Sequence, residues 1–164
     1  MIRRATIDDL PTIVSLIRGL AEYENLTHAA VLDEVELGRH LFGARPHAEV
    51  LLAHEGGQDV GFALFFHNFS TFLGKPGIHL EDIFVKPESR GRGHGKALLA
   101  EIARLAVERG CGRVEWSVLD WNEPSIGFYR RLGAVALDEW TTFRLTGPAL
   151  LALGGAGRGP DDER

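Results

Sequence analysis

The sequence predicts an α/β fold, a mixed and mostly antiparallel twisted sheet flanked by helices. Three observations predict it. Amphipathic stretches with helical spacing are bounded by capping residues and glycines. Three apolar, strand-like runs follow one another without a helix between them, which implies antiparallel pairing. Later in the chain a strand, a long helix and another strand alternate, which implies one parallel step.

The elements follow in order. Ile2 to Ala5 reads as a short first strand. Thr6 to Asp9 has the spacing of a capping box, and Pro11 suits an opening helical turn. Ile13, Leu16, Ile17, Leu20 and Ala21 recur at helical spacing, so the first helix is expected to run to about Glu24. A second helix is expected from Leu32 to Leu41, broken by the segment Ala44 to Pro46. Val50 to Ala53 and Gly61 to His67 read as strands joined by the Gly56-Gly57-Gln58-Asp59 turn. Ser70 to Gly77 reads as a loop, and Ile78 to Val85 as the next strand. Gly95 to Arg109 is a strong helix, ended by Gly110 in the left-handed position common there. Val114, Trp116 and Val118 alternate as a strand, and Pro124 to Leu132 is a short helix before Gly133. Strands at Val135 to Leu137 and Thr142 to Leu145 are expected to close the sheet. The reading is one domain over residues 1–153, with a glycine-rich, charged and disordered tail over 154–164.

Composition narrows the function. A chain of 164 residues, 45% hydrophobic and 25% charged, is long enough for one buried core. There are 23 acidic against 18 basic residues, for a formal charge of -5, which argues against nucleic acid as partner. The single cysteine, Cys111, excludes an internal disulfide and a cysteine metal cluster, and it fits a reducing compartment. No apolar run approaches the roughly 20 residues of a spanning helix. Met1 to Arg4 has no apolar signal core behind it. The expectation is a cytoplasmic protein with no membrane partner and no metal.

The most informative string runs from Leu80-Glu81-Asp82-Ile83-Phe84-Val85, through Lys86 to Ser89, into Arg90-Gly91-Arg92-Gly93-His94-Gly95. A strand leads into a glycine-rich turn, and a long helix starts there. Glycines let the backbone approach an anion, and free amides at a helix start attract phosphate. Arg90, Arg92 and Lys96 add positive charge, and His94 lies inside the turn. A Walker loop fails, because Ala97 follows Gly95-Lys96 and position 90 is arginine. A dinucleotide fingerprint also fails, since it needs a small residue where Lys96 or Leu98 stands. A turn that merely reverses the chain stays open on this string alone.

The pattern Arg-x-x-Gly-x-Gly ahead of an amphipathic helix resembles the pyrophosphate-binding signature of the GNAT acetyltransferases. Asn122-x-x-Ser125-x-x-Phe128-Tyr129-x-x-Leu132-Gly133 resembles that superfamily's second signature. There the asparagine contacts coenzyme A and the tyrosine lies near its sulfur. A helix cap at Asn122 and a core aromatic at Tyr129 are the simpler alternatives. The resemblance implies a GNAT fold in which one parallel strand pair splays apart, with the pantetheine arm in the gap. The backbones of Ile83 and Val85 would bind that arm, and Phe84 would pack in the core. It implies acetyl-CoA as co-substrate through residues 90–96, Asn122, Ser125 and Tyr129.

Leu20-Ala21-Glu22-Tyr23-Glu24, Leu80 to Val85 and Trp121 to Ser125 together look like the diamine (spermidine/spermine) and thialysine N-acetyltransferases. Ser70-Thr71 and Leu119-Asp120 point to the thialysine branch, whereas Thr141 departs from the arginine that the polyamine enzymes tend to have. Both substrate classes stay open. The resemblance implies an N-acetyltransferase for a primary amine of a small molecule, working by direct transfer in a ternary complex, and a homodimer. Tyr23, Glu24, Glu81, Asp82 and Trp140 would bind the amine. A solvated helix face is the alternative for Glu24. Glu81 and Asp82 interrupt an apolar strand, and strand alternation sends them to opposite faces. Glu81 is expected to act as base and Tyr129 as general acid. A non-catalytic acyl-CoA-binding module and acetylation of protein lysines are the competing functions.

Overall fold

The computed structural model describes residues 1–155. Two compact units divide it, the first over residues 1–117 and the second beginning at Val118.

The first unit carries a five-stranded sheet, β1 (Ile2–Arg4), β2 (Glu49–Glu55), β3 (Gln58–Ser70), β4 (Lys75–Val85) and β5 (Val114–Trp116). The strands lie in chain order. The first three pairings are antiparallel, and β5 runs parallel to β4. This is the mixed, mostly antiparallel sheet that the sequence predicts.

Helix α1 (Leu10–Tyr23) starts where expected. Asp9 Oδ2 accepts from the Thr6 amide at 2.7 Å, closing the capping box ahead of it. Helix α2 (Glu34–Phe42) is capped by Asp33, whose Oδ1 accepts from the Glu36 amide at 2.9 Å. On one face of the sheet Ile13, Leu16 and Leu20 of α1 and Leu41 of α2 pack on Val50, Leu52, Phe62 and Phe84. Helix α3 (His94–Glu108) buries Leu98, Ile102 and Leu105 and packs on β2, β3 and β4. Each such fully buried side chain contributes about 1.5–3 kcal/mol.

The hairpin between β3 and β4 is longer than the sequence predicts. The expected loop over residues 70–77 shrinks to four residues, because the ladder continues to the Ser70–Lys75 pair. Ser70 is buried, and its Oγ accepts from the Leu73 amide at 3.2 Å, so the side chain substitutes for a ladder bond in the turn.

The second unit contains α4 (Glu123–Arg131) and α5 (Gly147–Gly155). The strands expected at 135–137 and 142–145 do not form. Their alternating apolar residues suit a sheet, but an isolated extended segment lacks the neighbour that would satisfy its amides and carbonyls. No sequence reading foresaw α5, although Pro148 in its first turn and the alanines and leucines behind it favour a helix. Gly154 and Gly155, expected in the tail, end α5, and the rest of that tail lies outside the described residues.

Candidate active site

The glycine turn is built for an anion. Gly91 and Gly93 have φ of 76° and 85°, in the left-handed region that disfavours side chains. Gly93 caps α3, and the first helical bond inside the turn runs from the Ala97 amide to the Gly93 carbonyl at 2.9 Å. Amides at the start of α3 therefore lack intrahelical acceptors, at the positive end of a 15-residue helix. A Cβ placed on Gly91, Gly93 or Gly95 would meet no atom of the described residues within 4 Å. Such a cradle fits the diphosphate of a coenzyme. Lys96 is exposed in the first turn of α3.

The turn's side chains have local partners. Arg92 Nη1 donates to Glu55 Oε2 at 2.8 Å, and this contact lowers the Glu55 carboxyl below the ordinary range. His94 Nε2 is buried 3.3 Å from the same oxygen without forming a hydrogen bond. Glu55, at the end of β2, carried no functional reading from sequence, because its position depends on how two distant segments meet. Arg90 Nε donates to the Val85 carbonyl at 3.0 Å. Its guanidinium carbon lies 4.3 Å from the centre of the Tyr23 ring and 5.7 Å from that of Phe84.

Strand β4 is irregular at the carboxylates. Leu64 pairs with Asp82 while Phe65 pairs with Leu80, so Glu81 has no partner on β3 and forms a bulge. This corrects the expected arrangement of the two acids on opposite faces. Leu80 is buried on the α3 side with its partner Phe65, so alternation sends Glu81 to the other side. The bulge then keeps Asp82 on that same side, with Leu64 and ahead of Phe84, against α1. Glu81 is exposed, and its Oε2 lies 3.6 Å from His79 Nε2. Burial pushes the Asp82 carboxyl up to about 6, with the charges of Glu81 and Glu24 adding. Burial also raises the Glu24 carboxyl. Three carboxylates thus share one region, and at neutral pH they favour a bound cation.

Strand β5 pairs with β4 only over Ile78 to Leu80. From Asp82 to Val85, β4 keeps its β3 ladder, while no strand among the described residues pairs with its other edge. Ile83 and Val85 are half-buried along that edge, and Phe84 is buried against α1, as expected. A cavity of about 710 Å³ opens between α1 and the end of β4, lined by Val14, Arg18, Gly19, Tyr23, Phe84 and Lys86 among others. Gly19 brings the backbone of α1 close, since a Cβ there would stand 3.1 Å from the Phe84 ring. Arg18 and Lys86 were not singled out in the sequence. No motif marks them, and only the approach of α1 to β4 puts them on one cavity.

The structure therefore brings together Tyr23, Glu24, Glu81, Asp82, Phe84 and Arg90 in the first unit. Asn122, Ser125, Tyr129 and Trp140 belong to the second unit. Asn122 is buried and caps α4, its Oδ1 accepting from the Ser125 amide at 3.4 Å. Tyr129 is half-buried on α4, its ring 5.5 Å from that of Phe128. Trp140 is exposed in the segment before α5. Among the described residues no group of three or more His, Cys, Asp or Glu side chains is placed to hold a metal ion. No helix among them is long and apolar enough to cross a membrane.

An open-edged mixed sheet, a glycine turn at a helix start and a bulged strand beside it define an acyltransferase of the coenzyme A class. Residues 17–134 match the acetyltransferase (GNAT) family, and the chain belongs to that family. It is an N-acetyltransferase, and the family takes its acetyl group from acetyl-CoA. The chain is 39% identical over 166 residues to a thialysine N-epsilon-acetyltransferase of Bos taurus, covering 94% of this chain and 97% of the relative. It is 36% identical over 197 residues to the L-ornithine N5-acetyltransferase NATA1 of Arabidopsis thaliana, covering 93% and 86%. Among solved structures, an integron cassette protein from the mobile metagenome of V. cholerae superposes with a TM-score of 0.79 at 25% identity, covering 94% and 96%.

Proposed function

We propose that the protein transfers the acetyl group of acetyl-CoA to a primary amine of a small molecule carrying a further charge, a thialysine-like amino acid or a diamine. The observation that carries this reading is the placement of Glu81 and Asp82 on one side of β4 by the bulge, near Glu24 at the end of α1, with Asp82 pushed up to about 6 by burial. An ammonium group offsets the cost of ionising the buried Asp82 carboxyl beside two further acids. The names of the thialysine and ornithine relatives support the same substrate class.

The turn from Arg90 to Lys96 holds the coenzyme diphosphate on the α3 amides, and the free edge at Ile83 and Val85 holds the pantetheine arm. Asn122 and Ser125 complete the coenzyme site with Tyr129. Tyr23, Glu24, Asp82 and Trp140 bind the amine. A primary amine with a pKa near ~10 is protonated at neutral pH, and exposing its lone pair costs about 4 kcal/mol. Glu81 takes that proton, directly or through a water. The nitrogen then attacks the thioester carbonyl, and a backbone amide near Phe84 stabilises the oxyanion. The carbon–nitrogen bond forms and the carbon–sulfur bond breaks, Tyr129 gives its proton to the departing thiolate, and the surplus proton on the newly acylated nitrogen returns to the tyrosinate, leaving the neutral amide and free thiol.

We place the protein in the cytoplasm as a homodimer. The exposed apolar side chains of Val135, Leu137, Trp140, Phe143 and Leu145 support an assembly in which a second copy covers them.

The test is thiol release from acetyl-CoA by the pure protein across an amine panel. Thialysine, ornithine and spermidine are expected to release thiol, and neutral monoamines to release far less. Coenzyme binding without thiol release on any amine would reduce the protein to a binding module.

A further inference from the structure

Arg90 opens the glycine turn, and its charge alone would make it a phosphate ligand. Its side chain is engaged elsewhere. Nε is committed to the Val85 carbonyl at 3.0 Å. The guanidinium lies over Tyr23 at 4.3 Å and beside Phe84 at 5.7 Å. These contacts reach three parts of the first unit: the end of β4, the last residue of α1, and the buried aromatic that packs α1 on the sheet. Tyr23 and Phe84 both line the cavity between α1 and β4. Glu24, one of the three carboxylates, follows Tyr23 in the chain.

We propose that Arg90 is a positioning residue that couples the cofactor turn to the amine pocket by holding the Tyr23 ring in place. The proposal rests on the functional reading above, and adds a physical link between its two substrates. A planar guanidinium stacks on a ring and donates to a carbonyl at once, which an ammonium group cannot do. A shift of the turn around a bound diphosphate is passed through Arg90 to the pocket wall. By linkage, coenzyme tightens amine binding and amine tightens coenzyme binding by the same factor.

The experiment uses the full chain with Arg90→Lys, Tyr23→Leu and the double variant. Amine KM and kcat are measured with thialysine and spermidine, and coenzyme A affinity by calorimetry. Loss of an exposed stack of this kind corresponds to about 5-fold. Arg90→Lys is expected to raise amine KM about 5-fold, a larger effect than the one it has on coenzyme A affinity. Tyr23→Leu, which also removes an amine contact, is expected to raise amine KM at least as much, and the double variant to be no worse than Tyr23→Leu alone. Tyr23→Phe, which keeps the ring, is expected to restore the coupling to Arg90. In the wild type, amine affinity is expected to rise when coenzyme A is present, and in Arg90→Lys to be indifferent to it.

A loss of about tenfold in coenzyme A affinity for Arg90→Lys, with amine KM unchanged, would overturn the proposal and make Arg90 a phosphate ligand. Additive effects in the double variant would also overturn it. If the wild type acetylates no amine, the functional reading fails on its own. The melting temperatures of the same four proteins then decide the contact, and additive shifts would show that Arg90 does not hold Tyr23.

Discussion

Asp82 sits where an ionised carboxylate is costly, and the cost has a sign that can be measured. Its folded value of about 6 lies above the ordinary aspartate value, so the native state holds a proton that the unfolded chain has already released. The stability this residue contributes is full below about pH 4 and is lost as pH rises through about 6. At neutral pH the cost is about 3 kcal/mol. Asp82→Asn should therefore raise the melting temperature at pH 7, leave it nearly unchanged at pH 4, and weaken amine binding. A lower melting temperature at pH 7 would mean that the carboxylate has a cationic partner in the folded protein. Tyr129→Phe is a different kind of change. It keeps the ring, so folding and coenzyme affinity should hold while turnover falls roughly 100-fold. Near-normal turnover would remove Tyr129 from the chemistry. The identity of both residues was legible in the sequence through the motifs that contain them. The face that Asp82 shares with Glu81 was not, because it depends on which β3 residue faces which β4 residue.

Among the elements, α3 and its turn were the most legible, since glycines, basic residues and an apolar stripe all agree on one structure. Gly93→Asp tests the turn as a unit. The new side chain meets no neighbour, but φ of 85° strains it and its charge faces the diphosphate position. The expected result is a cost of about 1 kcal/mol in stability and a loss of at least about tenfold in coenzyme A affinity. Unchanged affinity in a folded variant would move the coenzyme elsewhere. The segment from Val135 to Leu145 shows the opposite case. Its apolar alternation is strand-like, yet a strand is a property of two segments, and period alone does not supply the second. Helix α5 was hidden for a related reason: flanking glycines draw the eye to a tail, although the residues between them favour a helix.

For the whole molecule, the antiparallel pairing and the one parallel step were legible from the succession of elements, while the order β1 to β5, without a crossover among its antiparallel members, is what the structure adds. A partner copy was not legible in composition. At 18.0 kDa per chain, a homodimer should appear at about twice that mass by light scattering at micromolar concentration with coenzyme present. Replacing Val135, Leu137 and Phe143 together by serine should shift the population towards the single-chain mass and lower activity with it. A single-chain mass for the wild type would falsify the assembly and leave the chemistry of each chain to stand alone.

The bulge in β4 has a consequence for how this strand tolerates a change of length. Removing one residue from a half-buried strand ordinarily swaps the two faces of everything beyond the cut. At position 81 it should not. Without Glu81, Leu80 and Asp82 become neighbours opposite Phe65 and Leu64, which are neighbours already, and Ile83 and Phe84 keep their partners. A chain lacking this one residue is expected to fold with a regular ladder and to melt no lower than the native protein by more than a few degrees. It should at the same time lose acetyl transfer, since the extra residue is what brings a second carboxylate to the pocket side. The strand's spare residue separates the requirements of folding from those of catalysis, and a single-codon deletion is the probe that reads each of them apart.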